Sequence, residues 1–161
     1  MKKKSIIVIS LCLVASIVIL SSNKIYMLYI GDCRQLWEEA QTHYVNRQYE
    51  KARELLEKIA RIDTAHHAQY LTGDMYLKGL GGEIDYDKAL KLFHQSATGG
   101  NTYAENNIGF MYTYGLGVTK DYSQAFKWLN KAATQGNPEA QIGMGSLYKN
   151  GWEYVKIVTL L

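Results

Sequence analysis

The feature that most constrains this chain is a repeat with a period of 36 residues. Shifting the sequence by 36 positions brings together small and aromatic residues at fixed places in successive units: Ala68, Ala104 and Ala140; Gly73, Gly109 and Gly145; Tyr76, Tyr112 and Tyr148; Gly79, Gly115 and Gly151. Such self-similarity is typical of stacked supersecondary units, none of which can bury its apolar face alone. The sequence therefore predicts an array of packed units.

Each unit is predicted to contain two helices. The first, helix A, is expected over residues 68–78, 102–114 and 138–149, and the second, helix B, over residues 86–98 and 122–135. Asn101 and Asn137 are predicted N-caps, because their side chains can accept hydrogen bonds from free amides of the next turn. Gly100 and Gly136 are expected to adopt the left-handed conformation just after helix B.

Glycine also recurs inside helix A, where it is a poor helix former. The repeated positions are Gly73, Gly109 and Gly145. A side chain of one hydrogen lets two helices approach closely. We therefore expect helix B to pack near these glycines, through Ala89 or Ala125.

The second unit carries the most complete set of repeated residues: Ala104, Ile108, Gly109, Tyr112, Gly115, Gly117, Val118, Asp121, Ala125, Trp128, Lys131, Ala132, Ala133 and Gly136. These residues resemble the Sel1-like repeat, a subclass of the tetratricopeptide superfamily. The first unit departs from the pattern at four positions, Thr72, Gly82, Leu92 and Ser96. The resemblance covers residues 68–151, with a looser tetratricopeptide-like match over residues 36–67.

The resemblance implies an all-α fold, an α/α solenoid of helical hairpins preceded by an N-terminal hydrophobic leader helix. The expected organisation is a signal peptide or signal-anchor helix at 1–30, a divergent tetratricopeptide-like hairpin at 31–67, Sel1-like repeats at 68–101 and 102–137, and an incomplete third repeat at 138–161. The third repeat is expected to be incomplete, because only its helix A matches the Sel1-like pattern.

Residues 1–30 differ in composition from the rest of the chain. Three lysines, Lys2–Lys4, precede an apolar run over residues 6–20, and a second apolar stretch covers residues 25–30. This order is typical of an export signal. Two outcomes remain open: cleavage near Ser21, or an uncleaved anchor over residues 6–30. We expect inner-membrane anchoring with the repeats on the periplasmic side, or export after signal cleavage.

Charge and composition argue against several classes of function. The formal net charge is +3, and the three leader lysines account for all of it. A nucleic-acid partner is not expected, since phosphate binding needs a surplus of Lys and Arg. No catalytic, cofactor or metal site is predicted, because the histidines and two cysteines lack the necessary spacing. The pair His66-His67 is interpreted as solvated loop histidines.

One stripe of helix A varies between the units while the framework positions repeat. In tetratricopeptide-like solenoids helix A lines the groove, so variable residues there are predicted to bind a partner protein. The candidates are Tyr103, Asn107, Phe110 and Tyr114 in the second unit, and Asp74 and Lys78 in the first. The alternative is that this stripe packs against a neighbouring repeat.

The expected function is a non-catalytic adaptor or scaffold of the bacterial envelope, which binds a peptide or helix of another protein in the helix A groove. Two alternatives remain open. In the first, the chain is a truncated remnant of a longer Sel1-like protein. In the second, it is an exported enzyme that acts on cell wall or β-lactams. The enzyme alternative requires a nucleophile or an acid/base pair that the sequence does not reveal.

Overall fold

The structure is a computed structural model that describes residues 33–61 and 65–149. These two ranges contain helices and no strand, which confirms the all-α prediction. The helices are α1 (33–45), α2 (Tyr49–Ala60), α3 (His66–Lys78), α4 (Tyr86–Thr98), α5 (Thr102–Tyr114), α6 (Tyr122–Thr134) and α7 (Pro138–Leu147). Helices α3, α5 and α7 are the predicted A helices, and α4 and α6 are the predicted B helices.

The chain divides into two compact units, Met1–Glu38 and Glu39–Leu161. Of the first unit, residues 33–38 are described and are helical. The second unit contains the rest of α1 and all later helices. Within it, α3 packs on α4 and α5 packs on α6, so the two predicted hairpins form. Helix α4 also contacts α5, and α7 contacts both α5 and α6, which joins successive hairpins.

No helix in the ranges 33–61 and 65–149 combines the length and hydropathy that a bilayer crossing requires. The predicted leader at residues 1–30 lies outside the described residues. So does the end of the third repeat, from residue 150 onward.

The turn from helix A to helix B has left-handed glycines at the same two positions in both hairpins. Gly79 and Gly115 follow α3 and α5 in the left-handed conformation, with φ of 66° and 73°. Leu116 N–H donates to the Met111 carbonyl at 3.0 Å, which satisfies one of the last carbonyls of α5. Gly81 and Gly117 also have positive φ, of 80° and 66°. Both turns therefore place glycine where the backbone conformation disfavours other residues.

The A and B helices approach each other at the repeated glycines. A Cβ placed at Gly73 would lie 2.8 Å from Phe93 Cε1 and 3.3 Å from the Ala89 carbonyl oxygen. A Cβ placed at Gly109 would lie 2.6 Å from Leu129 Cγ. The predicted close approach is confirmed for these two hairpins, and the side chain that enters each gap is Phe93 or Leu129. Both are almost fully buried.

The predicted asparagine caps are present at α5 and α7. Asn101 Oδ1 accepts from the amides of Tyr103 and Ala104, at 3.1 and 3.2 Å. Asn137 Oδ1 accepts from the Ala140 amide at 2.9 Å, and its Nδ2 donates to Thr102 Oγ1 at 3.2 Å. The second cap therefore also links the start of α7 to the start of α5.

Replacing Asn137 by alanine is expected to lower the free energy of unfolding by about 1–2 kcal/mol, because the change removes a helix cap and a hydrogen bond between repeats. The measurement is urea unfolding followed by circular dichroism. Asn130→Ala is the matched control, since Asn130 is exposed within α6, and it should shift the value by no more than about 0.5 kcal/mol. Equal losses in the two variants would contradict the assigned cap.

Candidate functional site

The predicted binding stripe of the second unit lies on α5 and is largely open to solvent. Tyr103, Phe110 and Tyr114 are 45%, 42% and 46% exposed, and Asn107 is half-buried. The rings of Phe110 and Tyr114 lie one helical turn apart, with centroids separated by 4.6 Å. The pair therefore forms an exposed aromatic patch near the C-terminal end of α5.

Helix α7 completes a cleft beside this aromatic patch. The cleft has a volume of about 220 Å³. Its lining comes from α5, α6 and α7: Asn106, Phe110, Thr113, Tyr114, Leu129, Glu139, Ile142, Gly143 and Ser146. Glu139, Gly143 and Ser146 occupy the stripe positions of the third unit, so the structure brings the stripes of two units together. We call this surface the α5–α7 cleft.

Ile142 is the most exposed hydrophobic residue of the α5–α7 cleft, and the sequence analysis did not predict it. Its side chain is 73% exposed, which is unusual for an isoleucine in a helix. The 36-residue period aligns Ile142 with Asn106 and Tyr70. The position therefore varies between units as the stripe does, and that variation is the signal that could have identified it.

The two predicted site residues of the first unit bind each other. Asp74 is buried, with 8% of its surface exposed, and Lys78 Nζ donates to its Oδ2 at 2.8 Å. Lys78 retains an exposed stem, with 57% of the side chain accessible. Neither residue lines the α5–α7 cleft. The pair consequently adds little net charge to the surface.

A tyrosine pair connects α3 to the start of α5. The ring centroids of Tyr70 and Tyr103 are 5.9 Å apart. Burial raises the pKa of Tyr70 to about 12, with further increases from the carboxylates of Asp74 and Glu139 and from Tyr103. Carboxylates of α3 and α7 therefore both raise the pKa of Tyr70, after the larger effect of burial.

Glu139 lies at the rim of the α5–α7 cleft, in the first turn of α7. Its Oε2 accepts from Asn106 Nδ2 at the long distance of 3.5 Å. Among residues 33–61 and 65–149, no Lys, Arg or His side chain lies within 4.0 Å of this carboxylate. Glu105, one turn from the start of α5, differs because it is fully buried and Lys131 Nζ lies 2.8 Å from its Oε1.

The interpretation of His66 and His67 as loop histidines is wrong, since both belong to the first turn of α3. His66 is half-buried: its Nδ1 lies 3.2 Å from Gln69 Oε1, and its carbonyl accepts from Ser96 Oγ at 2.5 Å. These contacts come from α4 and from the helix itself. In the described part of the chain, no group of three His, Cys, Asp or Glu side chains is placed to hold a metal ion.

A second cleft, of about 360 Å³, lies among α1, α2 and α3. Its lining is almost entirely apolar: Ala40, Gln41, Tyr44, Val45, Leu56 and Leu71. Val45 is 79% exposed. Leu71 is a stripe residue of the first unit, so the variable stripe borders a cleft at this end of the array as well.

The family profile described as Sel1 repeat matches residues 39–62, 66–101, 102–137 and 138–157, more than half of the chain. No curated protein gives a significant match. Among solved structures, the chain is similar to a Sel1 repeat protein from Oxalobacter formigenes, with 32% identity and a TM-score of 0.63 over 69% of this chain. It is also similar to a protective antigen present in uropathogenic Escherichia coli strains that displays an SLR fold, with 27% identity and a TM-score of 0.66 over 74% of this chain.

The chain spans 45% and 26% of the lengths of these two proteins. The family profile and the two similar structures agree on the family of this chain. The chain belongs to the Sel1 repeat family, whose members are typically non-catalytic scaffolds that mediate protein–protein interactions.

Proposed function

We propose that this chain is a non-catalytic adaptor of the bacterial envelope that binds a peptide or helix of a partner protein on its A helices. The single observation that carries the proposal is the α5–α7 cleft. Phe110, Tyr114 and Ile142, contributed by two neighbouring repeats, leave large apolar surfaces in water around one concavity. Exposed apolar clusters of this kind favour a protein-interaction site.

The position of the aromatic residues also supports a protein-interaction site. Aromatic side chains contribute a large share of binding energy at protein interfaces, and their effect is greatest where a partner excludes water. Phe110 and Tyr114 lie on a helix whose other side chains include Ile108 and Met111, both fully buried in the core. The aromatic pair is therefore presented on a rigid element, which reduces the entropy lost on binding.

The envelope location is the part of the proposal that rests on the sequence of residues 1–30. A basic segment followed by an apolar run favours export. Export places the repeats on the periplasmic side of the inner membrane. A partner within the envelope follows from that location.

The test is capture of partners by the tagged full chain from solubilised envelopes, read by quantitative mass spectrometry. Phe110→Ser/Tyr114→Ser is expected to reduce recovery of the specific partner by at least about tenfold, because truncation of two interface aromatics costs more than about 1.4 kcal/mol. Ile84→Ser is the matched control, since Ile84 is 53% exposed in the loop between α3 and α4, and it should leave recovery unchanged.

Equal recovery by the wild type and the double variant would contradict the proposed surface. Hydrolysis of a chromogenic β-lactam or of isolated cell wall by the purified full chain would contradict a non-catalytic role. The double variant must retain the circular dichroism spectrum and melting temperature of the wild type for the comparison to count, and both altered side chains are exposed enough to permit that.

A further inference from the structure

The α5–α7 cleft has a size that suits one or two side chains of a partner. Its volume of about 220 Å³ lies below the roughly 300–1,000 Å³ typical of sites for whole small molecules. Phe110, Tyr114 and Ile142 supply apolar walls. An aliphatic or aromatic side chain of a peptide would exchange water for these walls, and the rest of the peptide would lie across the helices.

The charge at the rim of the cleft is negative and uncompensated within the described part of the chain. Asp74 is neutralised by Lys78, and Glu105 is buried against Lys131. Glu139 alone of these three carboxylates has no cation within 4.0 Å in residues 33–61 and 65–149. Its long contact with Asn106 leaves the carboxylate oxygens free to accept a stronger hydrogen bond.

The tyrosine pair adds aromatic rings between α3 and the start of α5. Both Tyr70 and Tyr103 present ring faces of the kind that attract cations, and the two rings are in contact. After burial and Asp74, the Glu139 carboxylate is the next group that raises the pKa of Tyr70, so it lies on the side of α7 that faces this ring. A basic side chain that pairs with Glu139 would approach the cleft from the side on which these aromatic rings lie.

We propose that the α5–α7 cleft recognises a basic–apolar peptide segment of its partner, in which an aliphatic or aromatic side chain enters the cleft and a neighbouring Lys or Arg pairs with Glu139. The inference rests on the proposed function and adds the chemistry of the partner. Charge complementarity selects this occupant over an acidic segment, which the Glu139 carboxylate would repel.

The test is selection from a random-peptide library on the full chain in detergent micelles. Peptides enriched by the wild type are expected to carry Lys or Arg beside a large apolar residue. Glu139→Lys should weaken binding of the enriched peptides by roughly three- to tenfold, because an exposed ion pair is replaced by repulsion. Raising the salt concentration should weaken binding to the wild type and have little effect on Glu139→Gln.

Glu83→Lys is the matched control, since Glu83 is also exposed but lies in the loop between α3 and α4, and it should leave the affinities unchanged. Neutral or acidic peptides that depend on Phe110 and Tyr114 would overturn this inference and leave the proposed function intact. Both proposals would be overturned if binding of the enriched peptides depended on neither Glu139 nor the aromatic pair. They would also be overturned if the folded chain enriched no peptide.

Discussion

Replacing Gly109 by alanine is expected to lower the free energy of unfolding by about 1–3 kcal/mol, although alanine is the better helix former. The added Cβ would lie 2.6 Å from Leu129 Cγ, 2.9 Å from its Cδ2 and 3.2 Å from the Ala125 carbonyl oxygen. Leu129 cannot move toward α7, because its Cδ2 also fills the space above Gly143. The clash can only be relieved by separating α5 from α6, which weakens the packing of both helices.

The repeat itself provides the control, since Gly145 occupies the same position in α7. Apart from its chain neighbours and the nearby backbone of α7 itself, no atom of the described residues lies within 4 Å of a Cβ placed there. Gly145→Ala should therefore raise the free energy of unfolding by about 0.5–1 kcal/mol through helix propensity alone. Chemical unfolding of both variants measures the contrast. A change of the same sign at Gly109 and Gly145 would contradict the role assigned to the helix A glycines.

Replacing Lys131 by alanine is expected to lower the free energy of unfolding by about 1–3 kcal/mol. The change leaves the fully buried Glu105 carboxylate with a hydrogen bond from Gln135, the residue just after α6, whose Nε2 lies 2.7 Å from Oε2. Breaking a fully buried ion pair typically costs about 3–5 kcal/mol. The expected loss is smaller here because the Lys131 side chain is 53% exposed, so water can replace part of its interaction.

A double-mutant cycle separates this pair from other contacts of Lys131. Glu105→Gln preserves the shape of the side chain and removes its charge. In that background Lys131→Ala should lower the free energy of unfolding by less than about 1 kcal/mol. Lys127→Ala, one turn earlier on the exposed side of α6, should change it by no more than about 0.5 kcal/mol. Equal losses for Lys131→Ala in both backgrounds would show that the ion pair contributes nothing.

The helices could be predicted from the sequence where local residues determine their ends. Asn101 caps the start of α5 and Gly115 ends it, and both act through contacts within a few residues. The predicted range of 102–114 therefore agrees with the observed Thr102–Tyr114. The predicted range of 86–98 likewise agrees with the observed Tyr86–Thr98, and Asp85 caps this helix by accepting from the Lys88 amide. Capping residues and left-handed glycines determine helix ends through nearby residues of the sequence, and they recur in successive units at the 36-residue period.

The start of α3 could not be predicted because its cause is tertiary. Ala65 precedes the helix and makes no side-chain cap hydrogen bond. Instead, Ser96 of α4 donates to the His66 carbonyl, and Gln69 Nε2 donates to the Ala60 carbonyl of α2 at 3.3 Å. These partners lie 30 and 9 residues away in sequence. The helix therefore begins at His66, two residues before the predicted start.

The candidate site was predictable only in part, for a similar reason. The period identified Phe110 and Tyr114 as variable residues on one helix, and the structure places both on an exposed surface. The period alone could not show that Asp74 turns inward to pair with Lys78, or that Ile142 of α7 would face the same cleft. The position of Ile142 depends on the packing of α7 against α5, and the burial of Asp74 depends on the packing around α3, neither of which a single-unit pattern contains.

The most direct test of binding through the A helices is site-specific photocrosslinking in living cells, with p-benzoylphenylalanine in place of Tyr114, Phe110 or Ile84. The two cleft positions and the loop position have similar exposures of 46%, 42% and 53%. We expect a discrete adduct from the two positions on α5 and none from the loop. An adduct from the Ile84 position alone, or no adduct from any position in cells that express the folded chain, would contradict a binding surface on the A helices.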